Sequence, residues 1–248
     1  DTVKTKYLPP LVSADLLASY CLTEANAGSD AASLKTKAVR NGDHYVVTGS
    51  KQFISGGGEN DVYITMVRTG EDGPKGISCL VIEKEMDGVS FGAQERKLGW
   101  HSQPTAQVNF DGVRVPVENL VGAEGQGFGI AMAGLDGGRL NIGACSLGGA
   151  QRCLDEAISY TRDREQFGKA VAEFQNTQFT LADMETELQA ARMLLYAAAV
   201  KVTENTPDKT RFAAMAKRLA TDTGSAVADR ALQLHGGYGY LMDYPVER

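Results

Sequence analysis

The chain has 248 residues, of which 43% are hydrophobic and 23% are charged, a composition ordinary for a globular protein that buries a sizeable core. Its 25 basic and 31 acidic residues give a net charge of −6 without a long run of Lys or Arg, which argues against nucleic acid or an anionic membrane surface as the partner. No apolar run approaches the roughly 18 residues that a membrane-spanning helix needs, so a transmembrane segment is excluded.

The first part of the chain has the pattern of a β domain. Residues 1 to about 18 resemble the end of a helical segment whose beginning is absent, and short β-branched runs then alternate with glycine-containing turns up to residue 118. This pattern favours a sandwich or barrel. Asn41-Gly42 predicts a type I′ hairpin, and Asp111-Gly112 predicts another turn. The predicted strands are residues 44–50, 61–68, 77–82, 89–91 and 108–110.

From about Gly125 onward, apolar residues recur at helical spacing. The glycine-rich start of this region weakens helix propensity and indicates either close backbone packing or a ligand. A second helix is predicted over residues 175–203. A third is predicted to begin at Thr206-Pro207, as N-cap and first helical residue, and to end at Gly236-Gly237. Three long helices in series predict an antiparallel bundle.

The sequence lacks the motifs of several common kinds of functional site. The chain has no GxGxxG between a strand and a helix, no Walker A sequence, no GxSxG elbow and no CxxC pair. His44, His101 and His235 are far apart and lack the spacing of metal ligands, so no metal site is predicted.

Two features leave alternatives open at this point. Gly28-Ser29 is either a plain turn or a place where backbone N–H groups approach a polar ligand. Arg162, Arg164 and Lys169 either complement a helix C-terminus or form an anion site, for example for pyrophosphate.

Five motifs together resemble the acyl-CoA dehydrogenase family. They occur in the family's order and spacing and extend over nearly the whole chain, at residues 20–30 (YCLTEANAGSD), 49–55 (GSKQFIS), 113–119 (VRVPVEN), 164–168 (REQFG) and 233–239 (QLHGGYG). The resemblance implies an α+β fold, with a middle β-barrel or sandwich domain followed by an antiparallel helical bundle. The implied domains are 1–18, the end of an N-terminal helical domain; 19–118, the middle β domain; and 119–248, an incomplete C-terminal bundle.

The resemblance also implies an activity. This is FAD-dependent α,β-dehydrogenation of a short or branched, isobutyryl-CoA-like thioester, with hydride passing to flavin N5 and electrons to electron transfer flavoprotein. A homotetramer, built as a dimer of dimers, is implied as well. The mitochondrial matrix and the bacterial cytoplasm are equally open as locations. The alternatives are a flavin- or acyl-CoA-binding protein of the same fold without dehydrogenase activity, and an acyl-CoA oxidase.

Residue roles follow by motif matching. Thr23 and Ser29 are the expected hydrogen-bonding groups toward the flavin, Phe53 an aromatic wall, and His235 a packing or contact residue. The implied FAD-binding residues are Leu22, Thr23, Gly28, Ser29, Phe53, Ile54, Ser55, Arg164, Phe167, Phe174, Gln175, Gln233, Gly236 and Gly237. The implied acyl-CoA contacts are Ser29, Asp136, Gly137, Gly138 and Arg139.

No catalytic base is identified among these residues. In one branch of the family the glutamate base comes one residue before the motif arginine, where this chain has Gly138. In the other branch it lies in a segment that would follow Arg248. Asp136 matches a substrate contact and not a base. We therefore expect the glutamate beyond Arg248, in a polypeptide longer than these residues.

Overall fold

The computed structural model describes residues 2–247, which form two compact units. The first unit ends at Ala133 and the second begins at Gly134. Strand Leu120–Val121 and the start of the following helix belong to the first unit, although both lie after residue 118. The predicted domain boundaries stay predictions.

The element bounds agree with the predicted change from β to helical structure. The first unit contains helix α1 (Thr2–Val12) and strands β1 (Ala18–Cys21), β2 (Lys37–Asn41), β3 (His44–Ser55), β4 (Val62–Arg68), β5 (Ile77–Glu83), β6 (Val89–Phe91), β7 (Thr105–Pro116) and β8 (Leu120–Val121). Then follow helix α2 (Gly127–Asp163), strands β9 (Glu165–Gln166) and β10 (Lys169–Ala170), and helices α3 (Gln175–Thr203) and α4 (Lys209–His235).

The first eight strands form one mixed sheet. Their order is β6-β7-β3-β2-β4-β5-β8, and β1 lies parallel beside β4. Side chains of β3 and β7 share a single buried cluster with side chains of β4 and β5, so the sheet folds over its own core. The cluster includes Tyr45, Val47, Ile54, Tyr63, Val67, Leu80, Ile82, Val108, Phe110, Val113 and Val115. This confirms the predicted α+β fold class with its β-rich middle part.

Strands β4 and β5 are buried on both faces, which explains why their sequences are almost continuously apolar. On the face opposite the main core, Met66, Ile77 and Cys79 contact Leu22 and Leu34 from the segment between β1 and β2. This packing holds the motif segment around residues 22–34 against the sheet.

Two turn predictions need correction. Asn41 pairs with His44, so the central residues of the hairpin are Gly42 and Asp43. Only Gly42 of these two has positive φ, at 64°, which is the sign pattern of a type II′ turn and not of the predicted type I′.

The turn predicted at Asp111-Gly112 is wrong, because β7 runs through it. The β3–β7 register shifts between the pairs Val47–Val113 and Gly49–Phe110, and Gly112 has a φ of 64°. A glycine with positive φ lets one strand accommodate an extra residue as a β-bulge. A turn and a β-bulge share the same local sequence signal, a glycine that can adopt positive φ.

The three long helices pack around small side chains. Arg230 bonds Glu187 at 3.0 Å and Lys201 lies 2.9 Å from Asp208, so α3 and α4 run antiparallel. Their core with α2 is rich in alanine and leucine: Leu147, Ala150, Leu154, Ala157, Met184, Leu188, Ala191, Leu195, Ala198, Ala216, Ala220, Val227 and Ala231. The predicted bundle is confirmed. No helix within residues 2–247 combines the length and apolar character needed to cross a membrane.

The bounds of α3 agree with the prediction, whereas the predicted start of α4 is wrong. The helix begins at Lys209, after an N-cap at Asp208. The Asp208 carboxylate accepts hydrogen bonds from Lys201 and from the Thr206 hydroxyl, which places Thr206-Pro207 in the loop before the helix. At the other end, α4 stops at Gly236, with a φ of 59°, as predicted.

The glycines at the start of α2 serve different purposes. A Cβ on Gly127 would lie 2.4 Å from the carbonyl carbon of Ser78, whereas one on Gly129 would meet nothing within 4 Å. Gly127 is therefore required by the close approach of the helix to β5.

We predict opposite effects for alanine at these two positions. Gly127→Ala should lower the free energy of unfolding by about 1–3 kcal/mol, because the backbone must shift. Gly129→Ala should leave it unchanged or raise it by about 0.5–1 kcal/mol. Chemical denaturation of both variants beside the parent protein measures this, and equal stability of the two variants would contradict it.

Candidate functional site

The first motif segment forms a tight loop after β1. Glu24 and Ala27 exchange backbone hydrogen bonds of 3.1 and 3.0 Å, and the Thr23 carbonyl accepts a bond from the Gln52 amide at 2.8 Å. Leu22 is buried below the loop, while Gly28 and Ser29 are exposed. A Cβ on Gly28 would meet nothing within 4 Å, so there is free space above the loop.

A buried ion pair connects this loop to the second motif on β3. Lys51 is fully buried, and its Nζ lies 2.8 Å from Glu24 Oε1 and 3.1 Å from the Leu22 carbonyl. The Glu24 carboxylate also accepts the backbone amides of Lys35 and Thr36, at 2.7 and 2.9 Å. One ammonium and one carboxylate thus fix both ends of the loop.

The surroundings of this pair shift both pKa values. Burial lowers the pKa of Lys51, because it penalises the charged ammonium, and Glu24 opposes that shift. Burial alone would raise the pKa of Glu24. The charge of Lys51 and the hydrogen bonds from Lys51, Thr36 and Lys35 outweigh it and hold the pKa below its ordinary value.

Phe53, two residues after Lys51 on β3, has an aromatic ring that is exposed at the surface. The β3–β7 register shifts between Lys51 and Ile54, and Phe53 has a φ of 59° and is 62% exposed. Positive φ in a bulky residue is a strained conformation, of a kind that concentrates at ligand sites. Ile54 returns to the core, and Ser55 is exposed. The motif therefore places Phe53 and Ser55 at the surface of the first unit.

A cavity of about 930 Å³ lies beside this strand in the first unit. Tyr20 and Ser55, which belong to the first two motifs, line it. The other lining side chains are mostly polar: Glu59, Asn60, Gln94, Glu95, Lys97, His101, Ser102, Gln103 and Thr105. The volume is within the range of small-molecule sites.

The second unit has a cavity of about 480 Å³ where α2 and α4 end. Four predicted residues from two separate motifs line it: Arg164, Gln233, Gly236 and Gly237. A Cβ on either glycine would meet nothing within 4 Å. The structure thus brings these four residues of two motifs to one cavity.

Aromatic rings form one wall of this cavity. His235 stacks on Tyr160 at 4.3 Å, and Arg164 lies 5.4 Å from the Tyr238 ring centre. His235 Nδ1 lies 2.8 Å from the Ala231 carbonyl, while its buried Nε2 has no hydrogen-bond partner among the described residues. His235 is 2% exposed, which agrees with its interpretation as a packing residue.

Three predicted cofactor residues of the second unit do not line this cavity. Phe167 lies at the β9–β10 hairpin, is 95% exposed and has a φ of 53°. Its ring contacts Phe174 edge-on at 6.2 Å, and Gln175 is the exposed first residue of α3. The cofactor roles of these residues stay predictions.

Four of the five predicted acyl-CoA residues, positions 136–139, share a short stretch of α2, whereas Ser29 lies in the first unit. Asp136 is 5% exposed and accepts hydrogen bonds from Arg139 at 2.6 Å and from Thr210 on α4 at 2.7 Å. Each of its oxygens thus has one partner within the second unit. Gly137 and Gly138 border free space, because a Cβ on either would meet nothing within 4 Å.

The importance of Lys51 was missed, although the sequence contains a signal for it. Strand residues at even spacing share a face, and Tyr45, Val47, Gly49 and Lys51 follow that rule. A lysine in line with two core residues needs a buried partner. The partner, Glu24, lies in another motif, so only the three-dimensional arrangement identifies it. Separately, no group of three or more His, Cys, Asp or Glu residues within 2–247 is placed to hold a metal ion.

Family comparisons cover both units. The profile described as "Acyl-CoA dehydrogenase, middle domain" matches residues 19–113, and "Acyl-CoA dehydrogenase, C-terminal domain" matches residues 125–248.

Similar proteins are longer than this chain. The mitochondrial isobutyryl-CoA dehydrogenase of Dictyostelium discoideum is 56% identical over 246 residues, 99% of this chain and 59% of that protein. The bovine (Bos taurus) protein of the same name is 53% identical, over 97% of this chain and 58% of that protein. The solved structure of butyryl-CoA dehydrogenase from Megasphaera elsdenii is 44% identical with a TM-score of 0.96, covering 99% of this chain and 64% of that one. The chain thus spans less than two thirds of these proteins.

We predict that Lys51→Met strongly destabilises the first unit. An unpaired buried carboxylate costs about 3–5 kcal/mol when its partner is removed. Lys37→Met is the matched control, since Lys37 is an exposed strand lysine of the same unit. Denaturant unfolding of both variants checks this. A loss of unfolding free energy in Lys51→Met no larger than in Lys37→Met would contradict it.

We further predict that the contribution of Glu24 is lost in acid. Its pKa is lowered on folding, so its stabilisation is fully present above the unfolded value near 4.5 and disappears as the pH falls through the folded value. The difference in unfolding free energy between the parent protein and Glu24→Gln should therefore shrink between about pH 6 and about pH 3. A constant difference over that range would contradict the assignment.

Proposed function

The chain belongs to the acyl-CoA dehydrogenase family, and we propose that its polypeptide catalyses FAD-dependent α,β-dehydrogenation of a short or branched acyl-CoA thioester such as isobutyryl-CoA. The observation that supports this best is the arrangement in the first unit. Lys51 and Glu24 lock two motif segments together. On these two segments Phe53 is exposed with a positive φ, and Gly28 borders free space.

The residues present suit FAD. Arg164 supplies a guanidinium, which binds phosphate oxygens well. Gly236 and Gly237 line the same cavity and leave room for close approach of a ligand to the backbone. In the first unit, Phe53 offers a flat aromatic surface, and the exposed Ser29 and Ser55 offer hydroxyl groups.

Bound FAD would accept the hydride that leaves the β carbon of the thioester. The residues of this chain would bind and orient. Phe53 would cover a ring face and shield it from water, while Thr23, Ser29 and Ser55 would donate hydrogen bonds. The α proton must pass to a carboxylate, and we propose a glutamate that follows Arg248. Gly138 stands at the alternative position of the family and has no side chain.

The acyl-CoA contacts are proposed on α2. Gly137 and Gly138 leave space for the ligand, and Arg139 is the cation of this stretch. Asp136 would contact the substrate as well as orient Arg139, which it holds at 2.6 Å, because each of its oxygens has one partner and can accept another hydrogen bond. We also propose electron transfer flavoprotein as the acceptor, a homotetramer as the assembly, and the mitochondrial matrix or bacterial cytoplasm as the location.

The test is anaerobic mixing of the purified full-length protein with isobutyryl-CoA, with butyryl-CoA run alongside. Loss of the oxidised flavin absorbance is expected, faster with the preferred substrate. A yellow protein that binds both thioesters but keeps its absorbance would overturn the dehydrogenase proposal in favour of a binding protein. Peroxide formed in air in proportion to substrate would favour an oxidase.

Substitution of Gly138 should weaken ligand binding without impairing folding. Gly138→Ala is expected to fold at least as stably as the parent protein, because the added methyl meets no atom within 4 Å. Its affinity for isobutyryl-CoA should fall, since the methyl occupies ligand space. Gly148→Ala, also open and also on α2, is the matched control and should bind normally. Equal affinity of both variants for isobutyryl-CoA, measured by titration, would contradict the assignment.

A further inference from the structure

One arginine, the last residue of β4, joins two loops of the first unit. Arg68 Nε donates a hydrogen bond to the Leu34 carbonyl at 3.0 Å, and its Nη2 donates to the Ala32 carbonyl at 2.7 Å. Its Nη1 donates to the carbonyls of Glu71 and Gly73, at 2.5 and 3.2 Å. The guanidinium thus ties the segment between β1 and β2 to the turn between β4 and β5.

The guanidinium of Arg68 makes these hydrogen bonds to backbone carbonyls and not to a carboxylate. Its side chain is 11% exposed, and the carboxylate with which it forms an ion pair, that of Asp72, is 4.0 Å from Nε and fully exposed. An exposed pair of this kind contributes little to stability. Arginine presents five N–H donors in a rigid planar fork and keeps its charge in proteins. Its chemistry therefore suits the holding of several carbonyls at once.

The two carbonyls on the side of the first motif belong to the end of a single helical turn. Residues Ala31–Ser33 form a 3-10 helix, and Leu34 is its C-cap. Ser33 bonds back to Asp30, through its amide at 3.1 Å and through its hydroxyl. This helical turn begins directly after the exposed Gly28-Ser29 and its neighbour Asp30. Holding its end therefore limits how far Gly28-Ser29 can move.

Arg68 complements the Lys51–Glu24 pair along this segment. That pair fixes residue 24 at one end and the amides of residues 35 and 36 at the other. Between the two ends, Ala27 and Leu34 pack on the sheet, and Arg68 bonds to residues 32 and 34. The charge of Arg68 also lowers the pKa of Lys51, as expected for two cations behind one segment. Each cation thus holds a different part of the same segment.

We propose that Arg68 is a positioning residue for cofactor binding: it holds residues 30–34 so that Gly28-Ser29 stays in the conformation that receives FAD. This rests on the proposed function, in which Ser29 donates a hydrogen bond to the flavin. A protein whose segment has the receptive conformation only part of the time binds FAD more weakly by that fraction. Arg68 acts through the backbone and not by touching the cofactor, since its guanidinium already makes four hydrogen bonds to the chain.

The experiment compares Arg68→Lys, Arg68→Met, Asp72→Asn and the control Arg40→Met in the full-length protein. Arg40 is an exposed arginine of β2 in the same unit. FAD is added to the apoprotein, and its dissociation constant is measured by fluorescence well below the thermal midpoint of each variant. The visible absorbance of the bound flavin and the hydrogen–deuterium exchange of amides 30–36, with and without FAD, are measured as well.

For Arg68→Lys we expect the dissociation constant for FAD to rise roughly tenfold, because an ammonium keeps the charge but lacks the fork that reaches both loops. Arg68→Met should lose at least as much affinity. Asp72→Asn and Arg40→Met should change the dissociation constant by less than about twofold. The Ser33 amide should exchange faster in Arg68→Lys than in the parent, and FAD should slow its exchange in the parent. The visible absorbance of the bound flavin should differ between Arg68→Lys and the parent.

Other outcomes overturn the proposal. A lower thermal midpoint in Arg68→Lys with unchanged affinity for FAD would show that Arg68 only stabilises the fold. Equal losses of affinity in Arg68→Lys and Asp72→Asn would assign the effect to the ion pair. If Arg68→Met does not fold, Arg68→Lys and the parent decide, and an absence of slowing by FAD at amides 30–36 of the parent refutes the role.

The same measurements separate this proposal from the proposed function. If the parent binds FAD and Arg68→Lys binds it more weakly, but no acyl-CoA reduces the flavin of the parent, the dehydrogenase proposal fails alone. If isobutyryl-CoA reduces the flavin of the parent while Arg68→Lys binds FAD normally, the role of Arg68 fails alone. A parent protein that does not bind FAD refutes both.

Discussion

The buried contact between Lys51 and Glu24 is the constraint on which the first unit's surface depends. A lysine at 0% exposure is costly to charge, and it is retained here with a carboxylate that also accepts two backbone amides. Those amides belong to residues 35 and 36, beyond the exposed Gly28-Ser29 turn. The pair therefore fixes the start and end of a loop that also packs on the sheet through Leu22, Ala27 and Leu34. A hydrophobic pair of the same volume could fill the space but could not bond to the loop backbone at both ends.

Glycine has two opposite uses along α2. Gly127 is needed because the backbone of β5 comes too close, whereas Gly137 and Gly138 are next to space that none of residues 2–247 fills. A helix interior pays a conformational cost for each such glycine. The cost at Gly127 is offset by close packing on β5, but at Gly137 and Gly138 no packing offsets it. Gly129 and Gly148 are as open as Gly137 and Gly138, so close packing requires only some of the glycines of this helix.

Local patterns predicted most of the elements. The bounds of α3 agree because helical periodicity and the turn at residues 204–208 coincide. The errors occurred where one local signal permits two structures: a glycine with positive φ ends a strand in a turn or continues it through a bulge, as at Gly112. The site was predictable as separate motif segments. What joins them, Lys51 to Glu24 across 27 positions and Asp136 to Thr210 across 74, depends on tertiary structure.

Backbone strain in the first unit, seen as positive φ in non-glycine residues, occurs at few positions. Among its described non-glycine residues, Ala14, Phe53 and Trp100 have positive φ. The two aromatic ones lie on segments that also line one cavity, through Ser55 on one side and His101 to Gln103 on the other. A lysine that donates several hydrogen bonds precedes each of them, Lys51 two positions before Phe53 and Lys97 three positions before Trp100. Lys97 donates to two backbone carbonyls of its own segment, whereas Lys51 donates to the Leu22 carbonyl in the loop after β1. The strained backbone at Trp100 is therefore next to local polar contacts and the one at Phe53 is next to a tertiary contact, and both aromatic side chains are more than half exposed.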